Sequence, residues 1–154
     1  MIKAIETIDY LKQQYFEDNR PWVVTYSGGK DSTTVLHLVI TMLQELHKEN
    51  KATKPVYVVS SDTTVEMPII EKYTNVRLDQ ITNFANSTDL PISCHKLEPK
   101  VEESFWTLLL GLGYPSPTNS FRWCTERMKI NPATEFLKGL VNKHQSILML
   151  LGVR

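Results

Sequence analysis

The chain has 154 residues, which suffices for one domain with a sizeable buried core. Lysine plus arginine and aspartate plus glutamate both number 17, so no overall charge attracts nucleic acid or a membrane, and either would need a local patch or another subunit. The absence of a long apolar run and of an amino-terminal signal pattern predicts a soluble cytoplasmic protein with no membrane partner.

The first predicted elements surround a glycine turn. Regularly spaced apolar residues predict an amphipathic helix over residues 2–17. Residues 22–26 favour a β-strand, and residues 33–48 favour a long helix that is apolar on most sides. A strand, a turn and a helix in this order direct backbone N–H groups and the positive end of the helix towards an anion.

The turn itself reads Ser27-Gly28-Gly29-Lys30-Asp31-Ser32. Its glycines allow positive φ and close approach to a ligand, its serines offer hydroxyls, and its lysine adds a compact cation. It is not a Walker A loop, because position 24 is Val24 and Asp31 follows the lysine. The functional interpretation is a phosphate-binding loop, and the structural alternative is a glycine turn with a solvated Lys–Asp pair.

The motif S-G-G-K-D-S resembles the pyrophosphate loop of the adenine nucleotide α-hydrolase superfamily. That group includes the N-type ATP pyrophosphatases and the 3′-phosphoadenylylsulfate (PAPS) reductases. The resemblance implies an adenine nucleotide whose phosphates lie over residues 27–32. In ATP-using members, the α-phosphate is attacked and pyrophosphate leaves.

A second strand and helix extend this unit. Residues 56–60 have the continuous apolarity of a strand covered on both faces, and Pro68 suits the first turn of a helix reaching about residue 84. A strand, a helix and a strand at this spacing form a right-handed βαβ unit. We therefore predict an α/β fold: a three-layer, Rossmann-like sandwich with a mostly parallel central sheet flanked by helices, similar to the adenine nucleotide α-hydrolases.

Polar residues follow the second strand at the edge where the first loop lies. Asp62 and Glu66 are ordinary turn and helix-start residues in the structural interpretation. In the functional one, Ser60 and Asp62 contact the nucleotide. The order Asp-Thr-x-x-Glu-x-Pro over residues 62–68 resembles the segment after the second strand of PAPS reductases and related sulfurtransferases.

Residues 91–97 predict a third, weaker strand. Cys94 and His95 point to opposite faces of that strand, so they do not readily form a nucleophile–base pair. Cys94 is interpreted as a buried or partly buried thiol, whereas His95 or Lys96 could contact a ligand at the strand's end.

A predicted helix over residues 101–113 and a polar loop lead to a cluster of cations, aromatic rings and a cysteine. Arg122, Arg127 and Lys129 can hold phosphates, and neighbouring cations favour the thiolate of Cys124 as a nucleophile or metal ligand. A surface helix with alternating charges explains the same pattern structurally.

The last elements are a helix over residues 133–141, which Asn131 and Pro132 are predicted to cap, and a buried strand over residues 146–154. Ligand sites in open α/β sheets lie beyond strand carboxyl ends. A core strand at the end of the sequence therefore predicts the amino-terminal portion of a longer protein. Arg154, at this strand's carboxyl end, could bind a phosphate.

Residues 103–106, 113–117 and 121–130 resemble the PAPS-reductase-like sulfurtransferase subunit of bacterial DNA phosphorothioation systems, and Gly152-Val153-Arg154 resembles the start of a further segment of that family. Members are longer and use downstream cysteines with an iron–sulfur cluster. The resemblance implies Cys124 as one ligand of a 4Fe–4S cluster, with the others beyond this chain. The two cysteines present, Cys94 and Cys124, cannot form a four-cysteine site alone.

These features predict an ATP pyrophosphatase and sulfurtransferase that adenylates a DNA backbone phosphate before sulfur enters. Lys30 and Mg²⁺ stabilise the leaving pyrophosphate, and Asp31 or Asp62 helps to hold the metal. The acceptor phosphate is positioned by three cations: Arg122, Arg127 and Lys129.

The resemblance implies DNA bound through partner subunits and a cysteine desulfurase as the sulfur source, and a homo-oligomer remains open. Two alternatives also remain: a PAPS reductase-type oxidoreductase, and a non-catalytic nucleotide-binding module that reports ATP to its partners. Transfer RNA is a further acceptor to consider.

Overall fold

The computed structural model describes residues 2–153, which form alternating helices and strands. In chain order these are α1 (Ile2–Glu17), β1 (Trp22–Thr25), α2 (Lys30–Lys48), β2 (Val56–Ser61), α3 (Pro68–Ser87), β3 (Ile92–Leu97), α4 (Trp123–Thr125), α5 (Asn131–His144) and β4 (Leu148–Leu150). A 3₁₀ turn at Val101–Glu103 and wide π-type turns at Thr107–Gly111 and Glu126–Ile130 complete them.

All four strands are parallel, in the order β3-β2-β1-β4. The register places Val24 of β1 opposite Val58 of β2 and Leu150 of β4. On the far side of β2, Val58 lies opposite Cys94 of β3. The carboxyl ends of the strands therefore meet at one edge of the sheet, which is where the sequence predicted the loops to converge.

Helices cover both faces of the sheet, which confirms the predicted three-layer α/β sandwich. Val24 and Val58 belong to the larger core, where they pack with side chains from α1, α2 and α3 such as Leu43. Val23 and Val59 point to the other face and pack with residues of α5. The division follows from the alternation of side chains along a strand.

Tyr15 fixes α1 against the amino-terminal edge of the sheet. Its ring is fully buried and lies edge-on to Trp22, with centroids 5.5 Å apart. Its hydroxyl accepts a hydrogen bond from the backbone N–H of Lys54 at 2.6 Å. The Lys54 ammonium lies 4.6 Å from the ring centroid and bonds the Tyr15 carbonyl, and burial lowers the pKa of that lysine.

Two helix predictions are corrected. The helix expected over residues 101–113 is interrupted at Ser104, which is extended and whose hydroxyl lies 2.9 Å from that of Thr107. Asn131 and Pro132 form the first turn of α5 rather than a cap before residue 133, and helical backbone runs unbroken from Trp123 to His144. The wide turn at Glu126–Ile130 accommodates the proline, which lacks an N–H and crowds the preceding turn.

The final strand is also shorter than predicted. It ends at Leu150 and pairs with β1, and the following residues leave the sheet. Gly152 instead lies against the first turn of α2, where a Cβ would come within 2.7 Å of the backbone nitrogen of Ser32. Between residues 2 and 153, none of the helices combines the length and apolarity needed to span a membrane.

Tyr15→Phe should lower the free energy of unfolding by about 1–3 kcal/mol, because the buried N–H of Lys54 would lose its acceptor. Chemical denaturation measures the change. Tyr10→Phe is the matched control, since Tyr10 is on the same helix and 59% exposed. Equal stabilities of the two variants would contradict this account of how α1 is held.

Candidate functional site

Residues 27–32 form a closed turn between β1 and α2. Gly28 has φ +72°, which glycine adopts without strain, and a Cβ there would lie 3.4 Å from the Tyr73 ring. The Ser32 hydroxyl accepts a hydrogen bond from the Ser27 N–H at 3.2 Å, lies 3.0 Å from the Ser27 hydroxyl, and donates to the Gly29 carbonyl at 3.1 Å. Two serines therefore hold the shape that the glycines permit.

The amino end of α2 opens at this turn. The preceding residue is Gly29, which has no side chain and therefore cannot cap the first N–H groups of the helix. Uncapped N–H groups and the positive end of a helix suit an anion. Lys30 is exposed and Asp31 is half-buried, and neither side chain belongs to the lining of the neighbouring cleft.

A cleft of about 480 Å³ lies at the carboxyl edge of the sheet, beside the turn. Its walls come from the turn, the ends of β1, β2 and β3, helices α3 and α5, and the residues after β4. Among the predicted site residues, it brings together Ser27, Ser32, Ser60, Asp62 and Lys129.

Asp62 and Lys96 form an ion pair in this cleft. One Asp62 oxygen lies 2.8 Å from the Lys96 ammonium, and the other accepts the Thr64 N–H at 2.8 Å. Burial alone would raise the pKa of Asp62, but the hydrogen bonds from Lys96 and Thr64 and the lysine's charge together lower it. The hydrogen bonds that the Lys96 ammonium donates to Asp62 and Glu98 raise its pKa. Both side chains therefore remain charged at neutral pH.

A second, looser pair links the segment before α3 to the turn before α5. One Glu66 oxygen accepts the Thr63 hydroxyl at 3.0 Å and lies 3.9 Å from the Lys129 ammonium. Both Glu66 and Lys129 line the cleft. The charge of Lys129 is thus directed towards a carboxylate rather than left for an incoming anion.

The two arginines expected beside Lys129 lie outside the cleft lining. Arg127 lies 2.7 Å from an oxygen of Glu103, whose hydrogen bond and charge raise the pKa of the guanidinium. Arg122 is exposed, and its guanidinium lies 3.5 Å from the Asn119 side-chain oxygen. Arg154 lies outside the described residues.

The cysteines lie on different elements, Cys94 on β3 and Cys124 on α4, and both are half-buried. Burial raises the pKa of the Cys94 thiol. Across residues 2–153, no three His, Cys, Asp or Glu side chains cluster as metal ligands. The residues of this chain alone do not fit a 4Fe–4S cluster, which takes four ligands.

Within the described residues, 2–153, the cleft likewise offers magnesium no ready-made ligand set. Both oxygens of Asp62 are engaged, by Lys96 and by the Thr64 N–H, and Asp31 lies outside the cleft lining. A metal ion at this site would depend on oxygens that a nucleotide brings with it.

Three features of the cleft escaped the sequence analysis. Lys96 was foreseen as a ligand contact but not as the partner of Asp62, and Glu71 was not singled out at all. Gly152 was noted for its resemblance, but its role is steric, because a Cβ would collide with the backbone of residues 31–32. The sequence does show a glycine shortly after the last strand. It does not show that this glycine packs against residues 31–32, which are remote in sequence.

Residues 21–154 match the sequence profile of the phosphoadenosine phosphosulfate reductase domain. In Methanocaldococcus jannaschii, the uncharacterized protein MJ0066 is 24% identical over 154 residues, which cover 96% of this chain and 25% of that protein. The uncharacterized protein MJ0973 of the same organism is 31% identical over 130 residues, which cover 82% of this chain and 26% of that protein. The chain thus spans about a quarter of the length of these curated relatives.

Among solved structures, the chain is similar to the PAPS reductase of Candida auris, determined as a phosphate complex. The TM-score is 0.50 with 20% sequence identity, and the match covers 97% of this chain and 68% of the other. This similarity supports the α/β fold.

Gly152→Ala should lower the free energy of unfolding by about 1–3 kcal/mol, because the new Cβ displaces the backbone at the start of α2. Gly139→Ala is the control. A Cβ at position 139 meets nothing within 4 Å, and alanine in a helix should add about 0.5–1 kcal/mol of stability. Thermal or chemical denaturation gives both values, and a neutral Gly152→Ala would refute the close approach.

Lys96→Met should lower the free energy of unfolding at pH 7 by about 1 kcal/mol. It should also make that free energy fall less steeply as the pH is lowered. The lowered pKa of Asp62 stabilises the fold above the unfolded value, about 4, and this contribution disappears as pH falls through the folded value. The raised pKa of Lys96 stabilises the fold below about 10.4, so both contributions are present at neutral pH.

Denaturation at several pH values between 7 and 3 tests this, with Lys72→Met on the exposed side of α3 as control. The control should follow the parent at every pH. If Lys96→Met lost stability with acid as steeply as the parent does, the ion pair would not be the source of the dependence.

Proposed function

The chain belongs to the phosphoadenosine phosphosulfate reductase domain family, and from that premise we propose that it is the ATP pyrophosphatase part of a sulfurtransferase. The acceptor proposed is a DNA backbone phosphate, adenylated so that sulfur can replace a non-bridging oxygen. This is the activity of the DNA phosphorothioation subunit that residues 103–106, 113–117 and 121–130 resemble.

The observation that carries the proposal is the turn of residues 27–32 beside the cleft. The uncapped start of α2 offers N–H groups to phosphates, with Lys30 next to them. The adjoining cleft, about 480 Å³, has room for a nucleoside and extends along the end of β2 to Asp62. We place the phosphates over the turn and the adenosine towards Ser60 and Asp62.

In the proposed reaction, an oxygen of the acceptor phosphate attacks the α-phosphorus of ATP. The bond between that phosphorus and its bridging oxygen to the β-phosphate breaks, and pyrophosphate leaves with the electron pair. The product is a phosphoanhydride of AMP and the acceptor, from which a sulfur nucleophile later displaces AMP. The α2 N–H groups and Lys30 stabilise the charge on pyrophosphate, and Mg²⁺ would enter with the triphosphate.

Of the three cations, Lys129 lines the cleft, and it would meet the acceptor by turning away from Glu66, from which its ammonium is 3.9 Å distant. Arg127 would first have to leave Glu103, from which it is separated by 2.7 Å, and the exposed Arg122 would contribute from outside. DNA is proposed to reach the site through partner subunits, with a cysteine desulfurase as the sulfur source. A cluster involving Cys124 would need cysteines from beyond this chain, and no step is assigned to it.

A PAPS reductase-type oxidoreductase is the second candidate, and the family match is the observation that favours it. It would use the same turn and cleft without splitting ATP. Its reaction would release sulfite from PAPS with a thiol reductant, whereas the proposed reaction releases pyrophosphate from ATP.

Lys30→Ala in the intact protein should slow pyrophosphate release from ATP by about 100-fold, because charge on the leaving group loses a stabilising cation. Lys48→Ala removes an exposed lysine from the other end of the same helix and should leave the rate unchanged. A coupled pyrophosphate assay with the acceptor present measures both.

Release at the parental rate from Lys30→Ala would disprove the role of the lysine. Sulfite release from PAPS, without pyrophosphate release from ATP, would establish the reductase instead. ATP binding without either product would establish a non-catalytic nucleotide-binding module.

A further inference from the structure

The charged side chains in the cleft are unevenly balanced. Three carboxylates face two ammonium groups along its lining. These are Asp62, Glu66 and Glu71 against Lys96 and Lys129. Both lysines already have carboxylate neighbours: Lys96 lies 2.8 Å from Asp62, and Lys129 lies 3.9 Å from Glu66. The cleft beyond the turn therefore offers an incoming anion little uncompensated positive charge.

Glu71 adds a charge that these lysines do not neutralise. It lies in the first turn of α3 and lines the cleft, and in the described part of the chain it forms no ion pair. The positive end of α3 stabilises a carboxylate at this position. The Glu71 carboxylate can thus accept a hydrogen bond from a ligand hydroxyl, and its negative charge repels a phosphate.

Ser60 supplies a second, independent indication that a polar group binds here. Its residue is 2% exposed and lines the cleft, yet among residues 2–153 its hydroxyl has no hydrogen-bond partner. Because the Ser60 hydroxyl lines the cleft and has no protein partner among those residues, it is available to a polar group of a ligand. The carboxylates and this hydroxyl lie in the cleft where the adenosine is placed.

Ribose hydroxyls and ribose phosphates make opposite demands on such a site. A hydroxyl donates to a carboxylate, as ribose does to the acidic residue of dinucleotide-binding folds. A phosphate on the ribose brings up to two negative charges and needs a cation such as arginine. Near Glu66 and Glu71, it would meet repulsion unless an ion pair broke.

We propose that Glu66 and Glu71 make this cleft selective for adenine nucleotides whose ribose hydroxyls are unphosphorylated, with Ser60 bonding a polar group of the nucleoside. The inference rests on the proposed nucleotide site and deepens it, since it assigns the exclusion of 3′-phosphorylated nucleotides to two named carboxylates. Their role is specificity, and no chemical step is assigned to them.

Two isomeric ligands test the proposal. ADP and adenosine 3′,5′-bisphosphate have the same composition and differ in whether the second phosphate is on the 5′ side or on the ribose. Titration calorimetry with the intact protein should give a Kd for ADP about tenfold lower than that for the bisphosphate. Glu71→Gln and Glu66→Gln should each narrow this ratio by about threefold or more.

Glu6→Gln is the matched control, because Glu6 is exposed on α1. The ratio of the two Kd values should be the same for this variant as for the parent protein. Equal or tighter binding of the bisphosphate by the parent, or an unchanged ratio in both cleft variants, would overturn the inference. Preference for ADP without pyrophosphate release would contradict the proposed function alone. Pyrophosphate release without discrimination between the isomers would contradict this inference alone, and failure to bind either isomer would contradict both.

Discussion

Every contact in the cleft depends on the parallel pairing of β1 with β2 and β4, and of β2 with β3. Parallel strands end at one edge, so residues separated by more than a hundred positions meet there. The backbone at Gly152 lies against the start of α2, where a Cβ would come within 2.7 Å of Ser32 N. An antiparallel or differently ordered sheet would scatter the turn, the acidic residues and this glycine.

The cleft is held by polar contacts that are largely complete within the protein. Ser27 and Ser32 close the turn, and Asp62 is matched by Lys96 and a backbone N–H. The start of α2, which follows a glycine, and the Ser60 hydroxyl, which lines the cleft, are groups that a nucleotide can bind.

The cations of the segment from Phe121 to Ile130 lie in different surroundings. Lys129 points into the cleft lining, whereas Arg127 is paired with Glu103 at 2.7 Å. An acceptor that requires all three cations would therefore have to rearrange this segment. The chain itself spans about a quarter of the length of its curated relatives.

The sequence by itself determined the α/β class, most element positions and the turn at residues 27–32, because apolar periodicity, glycines and a helix start are local properties. It missed the break at Ser104, whose backbone is extended, and the wide turn at Glu126–Ile130 that joins α5 to the helical residues before it. Only the tertiary structure decided that Lys96 pairs with Asp62, that Arg127 pairs with Glu103, and that Gly152 fits against α2. Those outcomes depend on distances between segments remote in sequence, which no local pattern encodes.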